Sequence, residues 1–194
     1  MLKLWCLPLV LCGSWCAVSA VPMQLSHFMT LSFGAARGFA RWGLNSTHVE
    51  IELTFPTTGW MAFGLSPDGG MDDSDVLFGY VDDTSREAVI QDRYLEQDPA
   101  TYRVNFQLDD QQDWKLVYGM QNNTHTIMRA ARKLQTCDKQ DHPFTRDGQN
   151  VIFALHPRDP AGKTGPIIKH SARGNSIIDF GEALPAINAA KFHC

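Results

Sequence analysis

The chain has 194 residues, 44% of them apolar, which is about one domain's worth and enough for a hydrophobic core without covalent staples. Its 17 Lys and Arg against 21 Asp and Glu give a formal charge of −4 with no basic stripe, so the electrostatic footprint of a nucleic-acid binder is missing. Five cysteines are too few for a disulfide-dense miniprotein.

Residues 1–20 read as a secretory signal peptide. Lys3 supplies a short positive start, residues 4–11 an apolar run, and Val18-Ser19-Ala20 a small-residue cleavage site before Val21. The run is short and interrupted for a membrane anchor, and no other stretch has the apolar length to span a bilayer. Cys6, Cys12 and Cys16 leave with this segment, so Cys137 and Cys194 remain, to pair with each other or with partners elsewhere. Without Lys3 the basic residues fall to 16 against 21 acidic. The sequons Asn45-Ser46-Thr47 and Asn122-Asn123-Thr124 fit a glycoprotein of the secretory pathway, secreted or luminal.

Strand periodicity dominates the rest of the chain. In 49–55, Val49, Ile51, Leu53 and Phe55 alternate with Glu50, Glu52 and Thr54, a strand with one wet face. Segments 59–65 and 76–81 are short apolar runs bounded by turn residues, as buried strands are. Further strands are predicted at 88–94, 102–108, 114–120, 124–131, 151–155 and 176–180, with Gly, Asp, Asn and Pro between them. Nine or so short antiparallel strands imply an all-β sandwich over residues 21–182, with 183–194 as a tail leaving it. No long segment has helical periodicity.

Motifs for self-contained catalysis are missing: there is no Gly-x-Ser-x-Gly, P-loop, GxGxxG or Cys-x-x-Cys, and the seven histidines do not cluster. The acidic turn SPDGGMDDSDVLFGYVD, residues 66–82, is more informative. It is not an EF-hand, because Leu77 and Phe78 stand where a ligand oxygen and a glycine are required. Asp75 and Asp113 each open a predicted strand, so carboxylates from separate strands could hold a hard cation; the plainer reading is a solvated turn. Met71 and the late-loop His170 are residue types that together ligate haem iron, although a pair this far apart in sequence carries little weight alone.

The stretches GWMAFGLSPDGGMDDSDVLFGYVDD, IQDRY and QQDWKLVYGMQNNTHTIMRAARKLQTCD resemble the DOMON domain of the dopamine β-hydroxylase family, closest to its monooxygenase X branch. The resemblance covers residues 33–180 and implies a DOMON β-sandwich. In that family the sandwich precedes two copper domains that hydroxylate substrates with O₂ and ascorbate. Their His-His-Met and His-x-His ligands are missing from these residues. The resemblance therefore implies a non-catalytic, truncated module, with copper only in the absent domains. Its implied partners are those domains, in a longer form or another chain, or a second copy of itself. It also implies a structural cation, calcium or a monovalent ion, held by Asp75, the Val76 and Arg93 carbonyls and Asp113. Other DOMON domains bind haem b through a turn methionine and a late-loop histidine, positions that fall on Met71 and His170, which makes an electron-transfer cytochrome the alternative. Cys137 matches a family cysteine bridged to a distant C-terminal region, and Cys194 the cysteine that opens the copper domain. An active copper hydroxylase follows only if the sequence continues beyond Cys194.

Overall fold

The computed structural model describes residues 23–145 and 147–180. The signal-peptide reading, the tail and Cys194 lie outside the described residues. Eleven strands run in chain order: β1 (His27–Phe33), β2 (Ala36–Leu44), β3 (His48–Phe55), β4 (Met61–Ser66), β5 (Ser74–Val81) and β6 (Ala88–Gln97). Then come β7 (Val104–Leu108), β8 (Lys115–Gln121), β9 (Thr126–Lys133), β10 (Gln149–Leu155) and β11 (Ala172–Ile178). They form a five-stranded sheet in the order β1-β2-β3-β9-β8 and a six-stranded sheet in the order β11-β10-β4-β5-β6-β7, with every pairing antiparallel. No helix occurs among the described residues.

The inner faces meet in one core. Leu31, Val49, Ile51, Leu53, Phe55, Met128 and Ala130 from the five-stranded sheet face Met61, Phe63, Leu65, Leu77, Val151 and Phe153 from the other. Strict alternation in β3 therefore buries Val49 to Phe55 and leaves Glu50 and Glu52 partly exposed, the division expected of a sheet solvated on one side. The six-stranded sheet differs because its outer face is also covered. Trp60, Ala62, Val76, Phe78, Tyr80, Val89 and Leu95 form a second apolar cluster there, joined by Ile167 from the β10–β11 connection. All residues of β4 and β5 are consequently buried, which explains their unbroken apolar composition.

Side-chain and backbone bonds strap that connection to the sheet. Thr57 Oγ1 donates to the His156 carbonyl at 2.8 Å, Gln91 Nε2 to the Lys163 carbonyl at 2.6 Å, and the Asp83 amide to Asp159 Oδ2 at 3.0 Å. The gap left between loop and outer face forms a cavity.

Two strands were not among the sequence expectations. β1 and β2 form a hairpin closed by Gly34-Ala35, with Gly34 at φ 69° supplying the left-handed backbone the short loop needs. Tyr102, expected to open a strand, instead sits at φ 57° in a turn where Asp98 Oδ1 accepts the Ala100 and Thr101 amides.

Candidate functional site

Two constellations stand out, one on each face of the six-stranded sheet. On the outer face lies a cavity of about 820 Å³, within the size of a small-molecule or cofactor site. Its floor is apolar, built from Trp60, Val76, Leu95, Phe106, Ile152 and Ala154. Pleating puts these residues outward because their neighbours Met61, Leu77, Val151 and Phe153 fill the core.

Met71 and His170, 99 positions apart, both line this cavity. The turn carrying Met71 is fixed from several sides. Ser66 Oγ donates to the Gly70 carbonyl at 2.9 Å and accepts the Gly69 amide at 2.9 Å, and Asp68 Oδ1 accepts the Gly70 amide at 2.7 Å. Gly69 has φ 83°, and its carbonyl accepts from Asn175 Nδ2 at 3.1 Å on β11. Asp72, expected to be a solvated turn residue, accepts the Gln97 amide at 2.7 Å and ties the turn to the end of β6. Asp73, the other such residue, has φ 52°, and its carbonyl meets the His142 ring at 2.6 Å.

His170 is half-buried, and its Nε2 is buried with no hydrogen-bond partner among the described residues. Burial first, then the charges of Arg173 and Lys169, push its pKa below the usual histidine value. Both effects favour the neutral imidazole, the form with a free lone pair. The other described histidines have structural partners; His156 stacks on Trp60 at 6.2 Å and His27 on Trp42 at 5.5 Å.

On the inner face, at one end of the sandwich, is a buried acidic cluster. Carboxylate oxygens of Asp75, Asp92 and Asp141 lie within 4.8 Å of one another. Leu77 pairs with Asp92 and Asp75 with Tyr94, so Asp75 and Asp92 are diagonal neighbours on the same sheet face. Arg132 reaches them from β9, continuing the inward parity of Met128 and Ala130. Its guanidinium donates to Asp75 Oδ2 at 2.6 Å, Asp141 Oδ1 at 3.2 Å and the His142 carbonyl at 2.8 Å. Trp114 and Phe144 flank it, 4.9 and 5.1 Å from the two ring centroids.

One guanidinium does not balance this charge. Asp92 is pushed up to about 8, by burial first and then by Asp75 and Asp141. Asp141 is raised to about 6, again mainly by burial. Asp92 Oδ1, Asp141 Oδ2 and Asp113 Oδ2 are buried without hydrogen-bond partners among the described residues.

The sequence expected the ligand oxygens on Asp75, Val76, Arg93 and Asp113. Asp75 lies in the cluster, and Val76 and Arg93 are direct partners across β5–β6. Asp113 stands alongside, its amide donating to Asp92 Oδ2 at 3.1 Å, outside the closest three-carboxylate group. Asp92, Asp141 and Arg132 were missed. Asp92 was findable in IQDRY, where alternation with Ile90 turns it toward the core; Asp141 has no local signal. QQDW also has a mechanical reading: Gln112 Oε1 accepts the Asp92 amide at 2.9 Å and Gln112 Nε2 donates to the Asp92 carbonyl at 2.9 Å, clamping β6.

The sequon residues Asn45 and Asn122 are exposed, in matching turns. Each Oδ1 accepts the amides of the threonine two residues on and of the histidine after it, at 2.8–2.9 Å. Cys137 is disulfide-bonded, while Cys194, the partner that the sequence offers for it, is not among the described residues.

The comparisons with known proteins agree with this architecture. The DOMON domain family matches residues 38–156. DBH-like monooxygenase protein 1 of Gallus gallus is 34% identical over 162 residues, covering 84% of this chain and 25% of that protein. The protein of the same name from Homo sapiens is 35% identical over 137 residues, covering 71% and 21%. The chain thus spans about a quarter of the length of these relatives. Among solved structures, the cytochrome b domain of pyranose dehydrogenase from Coprinopsis cinerea has a TM-score of 0.60 at 15% identity, covering 76% of this chain and 79% of that one. The cytochrome domain of Myriococcum thermophilum cellobiose dehydrogenase has a TM-score of 0.58 at 13% identity, covering 82% and 85%. With its two antiparallel sheets, its DOMON match and these relatives, the chain belongs to the DOMON domain family, in the branch of the DBH-like monooxygenase proteins.

Proposed function

We propose that this domain is a haem b-binding electron-transfer module, with a structural cation site at the opposite face of the same sheet. The observation that carries the haem reading is the convergence on one apolar cavity of Met71 and of His170, whose buried Nε2 has no hydrogen-bond partner among the described residues. A thioether and an imidazole together would hold haem iron in a setting suited to one-electron exchange. Haem, when bound, supplies a one-electron carrier. The chain's own residues supply the rest: the pinned Gly69-Gly70 turn presents Met71, the β10–β11 connection presents His170, and the apolar floor excludes water. That the two structural neighbours are described as cytochrome domains supports the reading as an analogy of fold.

On sequence alone haem ranks below a purely structural role; the shared cavity is the reason for reversing that order. The relatives are named monooxygenases, and reduction of O₂ by a monooxygenase consumes electrons that such a carrier delivers. Within a longer form, the copper domains implied by the family resemblance are the proposed acceptor or docking partner.

The cation reading rests on a separate observation, the buried oxygens of Asp92, Asp113 and Asp141 that lack partners beside Asp75. A hard cation accepts convergent carboxylates and would relieve their repulsion. A secreted or luminal glycoprotein is the proposed setting. The leader-like first twenty residues, the two exposed sequons and the disulfide at Cys137 support it, and no helix among the described residues is long and apolar enough to cross a membrane.

The test is expression of the secreted chain with haem supplied. A Soret band at one haem per chain is expected. Folded protein that stays colourless and takes up no added haem refutes the cytochrome reading. Metal analysis of wild type against Asp75→Ala tests the cation, with equal occupancy counting against it.

A further inference from the structure

The haem reading leaves one property of the Met71–His170 cavity unused, its charge. Among the described residues Arg103, Lys169 and Arg173 line the cavity and no carboxylate does, in a chain whose net charge is −4. Arg103 stands between β6 and β7 at one flank of the sheet, while Lys169 and Arg173 bracket His170 beside β11 at the other. All three are exposed, and none forms an ion pair or side-chain hydrogen bond with a described residue. Some other exposed cations are set against carboxylates, Arg41 on Glu52, Arg86 on Asp83 and Lys163 on Glu87, and others such as Arg37 and Lys115 bond backbone carbonyls. The cavity is therefore an electropositive enclosure with an apolar floor, in an otherwise acidic protein.

Long cationic side chains lay their stems along apolar surface and keep their heads at its margin. Lys169 and Arg173 both disfavour a charge on His170, so they set a positive field at that end of the cavity, and Arg103 adds a further positive charge from the opposite flank. An anionic group on the occupant is attracted by these charges. A neutral ligand of the same shape is not.

We propose that the cavity selects a flat apolar ligand bearing carboxylates at its edge, with Arg103, Lys169 and Arg173 as the residues that bind those carboxylates, the two propionates if the ligand is haem b. This inference rests on the haem reading above and adds to it a chemical class and a binding role for three side chains. One short segment, residues 169–173, would then supply both a nitrogen to hold the iron and most of the counter-charge.

The experiment is an equilibrium titration of the apo full chain with ferric haem b and, separately, with its dimethyl ester, whose carboxylates carry no charge. Soret absorption and quenching of tryptophan fluorescence report binding, since Trp60 lines the cavity. At low salt the wild type is expected to bind the free acid about tenfold more tightly than the ester, each exposed ion pair contributing a few-fold. That preference shrinks as salt is raised. The triple variant R103Q/K169Q/R173Q is expected to bind both ligands equally, with a wild-type melting temperature because all three side chains are exposed. Equal wild-type affinities for acid and ester, a preference insensitive to salt, or an undiminished preference in the triple variant overturns this inference and leaves the haem reading standing. Binding of neither ligand overturns both.

Discussion

Replacing Arg132 by methionine tests how the acidic cluster is held. Methionine keeps a long apolar stem between Trp114 and Phe144 but removes the one guanidinium that faces Asp75 and Asp141. The Arg132 and Asp141 side chains are 2% and 3% exposed, so water cannot replace the lost partner. Removing one partner of a buried ion pair costs about 3–5 kcal/mol. For a domain of this size each kcal/mol lowers the melting temperature by about 2–4 °C, so Arg132→Met should melt roughly 10–15 °C below wild type near pH 8. The loss should shrink by about 1–2 kcal/mol at pH 5, below the values of about 8 for Asp92 and about 6 for Asp141, because fewer buried negative charges are then left unpaired. Thermal or urea unfolding at the two pH values reads both quantities. A loss under about 1 kcal/mol, or the same loss at pH 5 and pH 8, would mean that Arg132 does not neutralise the cluster.

Three further outcomes follow from the same geometry. Folded Asp92 keeps its proton up to about pH 8, whereas an unfolded aspartate releases it near 3.8, so cation-free wild type loses stability as pH rises through that window. Between pH 6 and 8 the loss is about 2 kcal/mol; excess divalent cation at pH 8 restores it, and Asp92→Asn flattens the profile in urea unfolding. Gly64→Ala puts a methyl 2.5 Å from the Asp75 carbonyl and 2.7 Å from Val76 Cγ2, and should destabilise by about 1–3 kcal/mol in the same assay. Since burial and neighbouring charge hold His170 below the ordinary 6.5, a loaded domain should keep haem on acidification through that value. A release midpoint at or above it, followed by absorbance, would speak against His170 as the ligand.

What was legible in the sequence divides along physical lines. β3 could be read from strict alternation, and β4 and β5 from apolar runs closed by turn residues, because burial is written directly into composition. β1 and β2 were not singled out: Ala36, Gly38, Ala40 and Gly43 dilute the β-branched signal. Gly38 and Gly43 are there because neighbouring backbone passes where a Cβ would lie, the Thr54 carbonyl at 2.8 Å and the Gln24 carbonyl at 2.2 Å. Such packing is tertiary information. Asp75 was singled out locally, yet its companions come from three other segments: Asp92 by register across β5–β6, Arg132 from the facing sheet, and Asp141 from the β9–β10 connection. Met71 and His170 were similarly weak as an isolated pair. Family resemblance suggested them, and the cavity between sheet and β10–β11 connection supplies the physical reason to join them.

Whether Met71 and His170 hold one haem between them is decided by optical spectra of haem-loaded wild type, Met71→Ala and His170→Ala. Wild type should give a six-coordinate spectrum, each variant a changed coordination state, and His170→Ala the weaker haem retention. Spectra identical in all three proteins, or a wild type that binds no haem, would contradict that pairing.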